Sequence, residues 1–81
     1  MRRLGGTEMR IITIKCAKCG RKVFKYQKMG KGKLWRCWKG RIIEDHSVRE
    51  GDAVKCTCGN IIGVDKGGYI RMRQSSFITS S

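Results

Sequence analysis

Two pairs of cysteines, each followed directly by a glycine, constrain this chain more than any other feature of its sequence. Cys16 and Cys19 are separated by two residues, and Cys56 and Cys58 are separated by one. Such spacing lets both thiolates of a pair reach one ion, and the following glycine permits the tight turn that this requires. Four thiolates around one ion form a closed tetrahedral site without an open position for water or substrate. The sequence therefore predicts a structural zinc site with these four cysteines as ligands.

The size of the chain makes such a cross-link necessary. A chain of 81 residues forms one domain at most, and its core stabilises a fold only weakly without a disulfide or a metal. No apolar run of signal-peptide length stands at the start, and no stretch is long enough to span a membrane. We therefore expect a reducing, cytoplasmic setting, in which closely spaced cysteines bind metal rather than form disulfides.

The cysteine pattern also allows other chemistry and other ligands. A redox dithiol would need a βαβ setting that the sequence lacks, whereas an iron–sulfur cluster could use the same four sulfurs. The fifth cysteine, Cys37, lies between Trp35 and Trp38, and burial as a small apolar residue is the favoured interpretation. His46, the one histidine, could replace a thiolate, although its polar and acidic surroundings favour solvent exposure.

Short β-type runs separated by glycines predict a small all-β fold with antiparallel sheets. Alternation places Ile12 and Ile14 on one core face and Ile70 and Met72 on another, so that Arg71 points to solvent. Residues 44–52 are predicted to be a polar connection that could hold one short helical turn. The six predicted strands are residues 10–15, 22–28, 34–43, 53–55, 61–64 and 69–74.

The ends of the chain differ from the patterned region between them. Residues 1–8 are predicted to be a disordered tail, residues 9–74 the folded domain, and residues 75–81 a flexible tail apart from Phe77. Met9 begins the regular pattern, and Gly5 and Gly6 precede it at the distance at which their codons could form a bacterial-type ribosome-binding site. We therefore hypothesise that Met9 is the true start and that the source is prokaryotic.

Charge is distributed very unevenly along the chain. The formal net charge is +13, which points to a polyanionic partner, with nucleic acid ahead of an anionic membrane surface. Residues 9–41 contain twelve Lys or Arg and no acidic residue, whereas residues 42–81 contain five of each sign. A four-thiolate zinc site would contribute −2, leaving about +11. The excess positive charge therefore belongs to the first half of the domain.

Aromatic residues are interleaved with these cations, which is typical of surfaces that hold phosphates and stack on unpaired bases. Core packing is the favoured interpretation for Phe24, Trp35 and one further aromatic ring. Alternation puts Trp38 on the face opposite Trp35 and Cys37, so at most one tryptophan is expected to be free to stack. The predicted nucleic-acid-binding residues are Lys22, Lys25, Tyr26, Lys28, Lys31, Lys33, Arg36, Trp38, Lys39 and Arg41.

The two cysteine corners, each flanked by β-type sequence, resemble the knuckles of the zinc-ribbon group, which includes many small ribosomal and transcription proteins. More closely, residues 25–37 and 58–63 resemble small zinc-ribbon proteins of archaea and clostridia to which no function is assigned. A weaker similarity, confined to residues 14–19 and 22–25, is to the Com-type translational activators of Mu-like phages, which are zinc proteins that bind messenger RNA. The second Com cysteine pair is absent here, since only Cys37 stands in its place. The resemblance implies a zinc-ribbon fold.

These observations favour RNA binding by a basic zinc module. Nothing in the sequence forms a recognition helix for a DNA major groove, so RNA is favoured over DNA, with the ribosome or its associated RNA as the expected location. The alternative is an interaction module for an acidic protein of the transcription or translation machinery. We expect no enzymatic activity, because no nucleophile and base stand at a convincing spacing. We also expect a monomer without a small-molecule substrate.

Overall fold

In the part of the chain that the structure describes, alternating apolar and polar residues form nine β-strands in two antiparallel sheets, and this confirms the predicted small all-β fold. The computed structural model describes residues 9–30 and 32–80. Within these ranges there is no α-helix, and so none that could cross a membrane. The strands are β1 (Met9–Cys16), β2 (Lys22–Met29), β3 (Arg36–Trp38), β4 (Ile42–Asp45), β5 (Val48–Glu50), β6 (Ala53–Lys55), β7 (Ile61–Asp65), β8 (Tyr69–Met72) and β9 (Phe77–Ser80).

The two sheets are built largely from hairpins. Sheet A has the strand order β4-β2-β1-β9, and sheet B has the order β3-β8-β7-β6-β5. The first cysteine pair lies at the β1–β2 hairpin of sheet A, and the second lies at the β6–β7 hairpin of sheet B. The two predicted knuckles therefore belong to different sheets.

One apolar core is shared by both sheets. Ile12 and Ile14 of β1 and Ile70 and Met72 of β8 are all buried in it, as their alternation predicted. Tyr26 of β2 is also buried, and its hydroxyl accepts a hydrogen bond of 2.9 Å from the backbone N–H of a residue in β3. This bond ties sheet A to sheet B through the core.

The single strand predicted for residues 34–43 is wrong. The chain forms β3 in sheet B, turns through a 3₁₀ segment at Lys39–Arg41, and then forms β4 in sheet A. Cys37 is buried on the sheet B side of this turn, and Ile42 packs against the same core from the sheet A side. Because the two apolar residues serve different sheets, no straight strand can place both of them in the core.

Two predictions for polar segments also differ from the structure. Residues 44–52 contain no helical turn; they complete β4 and form β5, an exposed edge strand paired with β6. Residues 77–80, expected to be loose apart from Phe77, form β9 and pair with β1. Ser76 anchors this strand, since its carbonyl accepts a 2.9 Å hydrogen bond from the N–H of Ala17. The prediction of a tail for residues 1–8 lies outside the described residues.

Candidate metal centre and basic surface

The first knuckle forms where β1 ends at Cys16. The N–H of Gly20 donates to the carbonyl of Cys16 at 2.9 Å, and the N–H of Cys16 donates to the carbonyl of Arg21, also at 2.9 Å. Gly20 has a φ of +80°, a left-handed conformation that glycine adopts without steric cost. The local sequence therefore turns the chain so that Cys16 and Cys19 face the same point.

The second knuckle is built in the same way with a shorter spacing. The N–H of Gly59 donates to the carbonyl of Cys56 at 2.8 Å, and the N–H of Cys56 donates to the carbonyl of Asn60 at 2.9 Å. Gly59 has a φ of +97°. One residue between the two cysteines is thus sufficient here, because the glycine completes the turn immediately after Cys58.

The four predicted ligands come together. All four Sγ atoms lie within 4.8 Å of one another. The Sγ atoms of Cys16 and Cys58 are 3.6 Å apart, and those of Cys19 and Cys56 are 3.4 Å apart. A tetrahedron with metal–sulfur bonds of about 2.3 Å has edges of about 3.8 Å. These distances fit four ligands of one ion and are far longer than a disulfide bond.

Two further hydrogen bonds support the Cys16 sulfur. The N–H of Lys18 donates to it at 3.3 Å, and the side-chain amide of Asn60 donates to it at 3.4 Å. The same amide donates to the carbonyl of Ser76 at 3.1 Å. Asn60 therefore links the second knuckle, the first knuckle and the segment that precedes β9. Outer contacts of this kind orient metal ligands and tune their affinity.

Burial, hydrogen bonds and neighbouring thiols shift the pKa values of three of these cysteines in different directions. Burial raises the pKa of Cys16, but hydrogen bonds from the Cys19 N–H and the Asn60 amide outweigh it and lower this pKa to about 6. Burial also raises the pKa of Cys56, but hydrogen bonds from the Cys58 N–H and the Cys19 thiol outweigh it, so this pKa is lowered. The Arg21 N–H lowers the pKa of Cys19, but burial and the neighbouring thiols raise it to about 11. A metal ion binds the deprotonated form of a cysteine ligand, so its affinity for such a cluster depends on pH.

The two alternative ligands are not part of this cluster. Cys37 is fully buried, and burial raises its pKa to about 12, as suits a small apolar core residue. His46 is exposed, and its Nε2 lies 3.1 Å from a carboxylate oxygen of Glu44. Within the described ranges, no other group of three or more potential ligands is close enough to hold an ion. The favoured interpretations of both residues are confirmed.

The predicted nucleic-acid-binding residues do not all reach a common surface. Lys22 forms a 2.9 Å ion pair with Glu44, and Lys39 forms a 2.8 Å ion pair with Asp65. Lys25 is half-buried on sheet A. Lys31 lies outside the described residues. The exposed predicted residues without an ion pair within the described part are Lys33, Arg36, Trp38 and Arg41.

Two predicted residues are buried, which corrects their assignment to a binding surface. Tyr26 is 1% exposed and cannot stack on a base, because its ring lies in the core and its hydroxyl bonds to β3. Lys28 is 8% exposed, and its ammonium donates to the carbonyl of Gly30 at 3.0 Å. Phe24 and Tyr26 stand two residues apart in one strand and so share a face. The expected burial of Phe24 therefore also indicated burial of Tyr26.

The prediction for Trp35 is also wrong. Its side chain is 57% exposed, and that of Trp38 is 42% exposed, so both tryptophans are on the surface. The alternation that assigned Trp35 to the core applies only within a strand, and β3 begins one residue later, at Arg36. Within β3 the alternation is confirmed, since Arg36 and Trp38 are exposed and Cys37 is buried.

The structure adds two residues to this surface from β8. Arg36 lies opposite Arg71 in the antiparallel ladder, and Trp38 lies opposite Tyr69. Together with Trp35 these residues form an outward patch, which we name the β3–β8 platform. Alternation within β8 indicated that Arg71 faces solvent, but only the pairing of β8 with β3 places it beside Arg36.

Comparisons with protein-family models, with curated proteins and with solved structures found no match to this chain. The resemblance to zinc ribbons therefore stays a prediction from the cysteine motifs. The functional argument depends on the two features described above, which are the four-cysteine cluster and the β3–β8 platform.

Proposed function

We propose that this protein is a zinc-stabilised module that binds RNA. The observation that carries the proposal is a group of exposed cations, on and near the β3–β8 platform, that form no ion pair with a carboxylate of the described residues. A structural metal would hold sheets A and B together, and the cations that no carboxylate neutralises would meet the phosphates of the RNA.

Zinc is the metal that the donor set favours. Four thiolates in a tetrahedron are typical of structural zinc sites. In a cluster of several irons the thiolates bind different metal atoms and lie further apart than the ligands of a single ion. The mutual Sγ distances within 4.8 Å support a single ion. Because the ligands come from hairpins of different sheets, the ion would act as a cross-link between them.

Among the described residues one ion pair lies at the edge of the β3–β8 platform: Lys39, which follows Trp38, pairs at 2.8 Å with Asp65, which is opposite Ile70 of β8. Carboxylates of Asp45 and Asp65 pair with Arg49, at 2.8 and 3.2 Å, and Glu50 pairs with Lys55. In the described part of the chain no ion pair includes the two platform arginines or four other exposed cations near the platform. Those cations are Lys33, Arg36, Arg41, Lys66, Arg71 and Arg73.

This concentration of unneutralised charge supports a polyanion as the ligand. A surface depression beside the platform is lined by Trp35, Arg36, Lys66, Tyr69 and Arg71, with no acidic residue among them. Exposed aromatic side chains next to cations are typical of nucleic-acid surfaces. RNA is proposed over DNA because the described fold has no helix to enter a major groove. We propose that the RNA is that of the ribosome or is associated with it. We propose no catalytic activity.

The test is binding of purified protein to RNA over a range of salt concentrations, with a mixed transfer RNA pool as the probe. We expect an affinity that falls linearly with the logarithm of salt, because counterions are released from the phosphates. The variant Lys33→Ala should reduce the slope, whereas Lys22→Ala, which removes the same charge, should reduce it less, since Lys22 already pairs with Glu44. Absence of RNA binding at low salt would overturn the proposal.

The competing function is docking to an acidic protein. Co-purification from the native source with and without nuclease separates the two. Release of the bound partner by nuclease supports RNA binding, whereas a partner that stays bound after nuclease supports protein contacts.

A further inference from the structure

We infer that the β3–β8 platform binds an unpaired segment of RNA, stacking bases on its indole rings and holding a phosphate between Arg36 and Arg71. This inference rests on the proposed RNA-binding function and deepens it. It assigns the site, the single-stranded form of the ligand and a role for each platform residue.

The two arginines are placed to bind one phosphate. Arg36 and Arg71 are directly opposite each other in the ladder, where side chains begin only about 5 Å apart. Like charges at such positions destabilise a sheet unless an anion lies between them. The guanidinium of Arg36 also lies 5.4 Å from the centre of the Tyr69 ring, a cation–π contact that holds it on the platform surface. A phosphate bridging both arginines would remove the repulsion.

The aromatic rings are fixed in place before any ligand binds. The rings of Trp38 and Tyr69 have centres 5.0 Å apart and planes tilted by 49°, so each limits the rotation of the other. Their strands are also fixed, because the carbonyl of Trp35 accepts a 2.9 Å hydrogen bond from the N–H of Met72 and the N–H of Trp38 donates to Tyr26. Preorganised rings lose little entropy when a ligand stacks on them.

The exposure of two tryptophans favours a single-stranded ligand. Trp35 and Trp38 keep about half of their surface in water, and the ammonium of Lys33 lies 5.9 Å from the centre of the Trp35 ring. In a duplex the base faces are hidden in the helical stack, whereas unpaired bases can stack on aromatic side chains. An indole beside a cation therefore matches an unpaired base beside its own phosphate.

Intrinsic fluorescence tests this directly, because Trp35 and Trp38 are the only tryptophans of the chain. The protein is titrated with a short unstructured RNA oligonucleotide, with a duplex of the same sequence, and with the matching DNA strand. We expect the single-stranded RNA to quench the fluorescence and to bind more tightly than the duplex. Tighter binding of the duplex or of the DNA strand would overturn the assignment.

Substitutions of Trp38 separate stacking from apolar packing. Trp38→Leu should weaken binding by about 5- to 150-fold, the usual value of one stacked base. Trp38→Phe keeps a ring and should retain most of the affinity. Circular dichroism and metal content confirm that both variants are folded. Equal affinities of the leucine variant and the natural protein would contradict stacking.

The phosphate clamp is tested with charge-matched variants. Arg36→Ala/Arg71→Ala should reduce the slope of log affinity against log salt by about 0.7, the value for the loss of the one phosphate contact that both arginines share. The control Arg10→Ala/Lys15→Ala removes two cations of β1 that form no ion pair in the described part, and it should change the slope less. RNA binding with unchanged affinity and salt slope in the platform variants refutes this inference but leaves the proposed function, whereas absence of binding to every RNA refutes both.

Discussion

Gly63 is the position at which a single methyl group should do the most damage to the fold. It lies in β7, and a Cβ there would stand 2.5 Å from the backbone oxygen of Arg71 and 2.8 Å from the Cγ2 of Ile70. Backbone cannot rotate away, so β7 and β8 would have to separate. We expect Gly63→Ala to destabilise the protein by about 2–3 kcal/mol, at the upper end for overpacking. The melting temperature should fall by about 10–20 °C in a domain of this size.

Gly40 supplies the matched control for the same substitution. It lies in the 3₁₀ turn, its φ is not in the left-handed region, and a Cβ would meet nothing within 4 Å. Gly40→Ala should therefore stabilise the protein by about 0.4–1 kcal/mol, because alanine restricts the unfolded chain. Thermal unfolding followed by circular dichroism measures both variants in their metal-saturated forms. Unchanged melting of Gly63→Ala, or equal destabilisation by both substitutions, would refute the packing of β7 against β8.

Three further predictions follow from single contacts. Asn60→Asp removes the amide donor to the Cys16 sulfur and should lower metal affinity by about 10- to 100-fold, measured by chelator competition; unchanged affinity would contradict the supporting role of Asn60. Tyr26→Phe removes the acceptor of the Trp38 N–H in β3 and should cost about 0.5–1.5 kcal/mol in chemical denaturation; a neutral result would refute the link between the sheets. Hydrogen bonding and charge from Lys22 lower the pKa of Glu44 to about 2, so its contribution to stability is present above the ordinary value of 4.5 and is lost as the pH falls towards 2. Lys22→Ala should return the Glu44 pKa towards 4.5 in carboxyl NMR titrations, and a wild-type Glu44 that titrates near 4.5 would contradict the ion pair.

The metal site could be predicted from the sequence because the relevant information is local. Each cysteine pair and its glycine fix the geometry of one turn, and the preference of thiolates for a shared metal ion predicts that the two turns meet, as their four sulfurs do. The burial of Ile12 and Ile14 could be predicted for a similar reason, since alternation within one strand needs no knowledge of its neighbours.

The binding surface could not be predicted in the same way, because strand pairing depends on the whole fold. Arg71 lies beside Arg36 in the β3–β8 platform only because β8 pairs with β3. Trp35 was assigned to the core by an alternation that stops at the start of β3, and its exposure followed from a strand boundary that the sequence does not mark. Edge strands such as β5 are missed for a related reason, since their exposed residues carry no apolar alternation.

The central claim is that one metal ion bound by Cys16, Cys19, Cys56 and Cys58 joins sheets A and B. The most direct measurement is the metal content of the purified protein by mass spectrometry, followed by thermal unfolding with and without a strong chelator. The account predicts one zinc ion per chain and loss of cooperative unfolding when the ion is removed. A metal-free protein that unfolds with the same cooperative transition in chelator would contradict it.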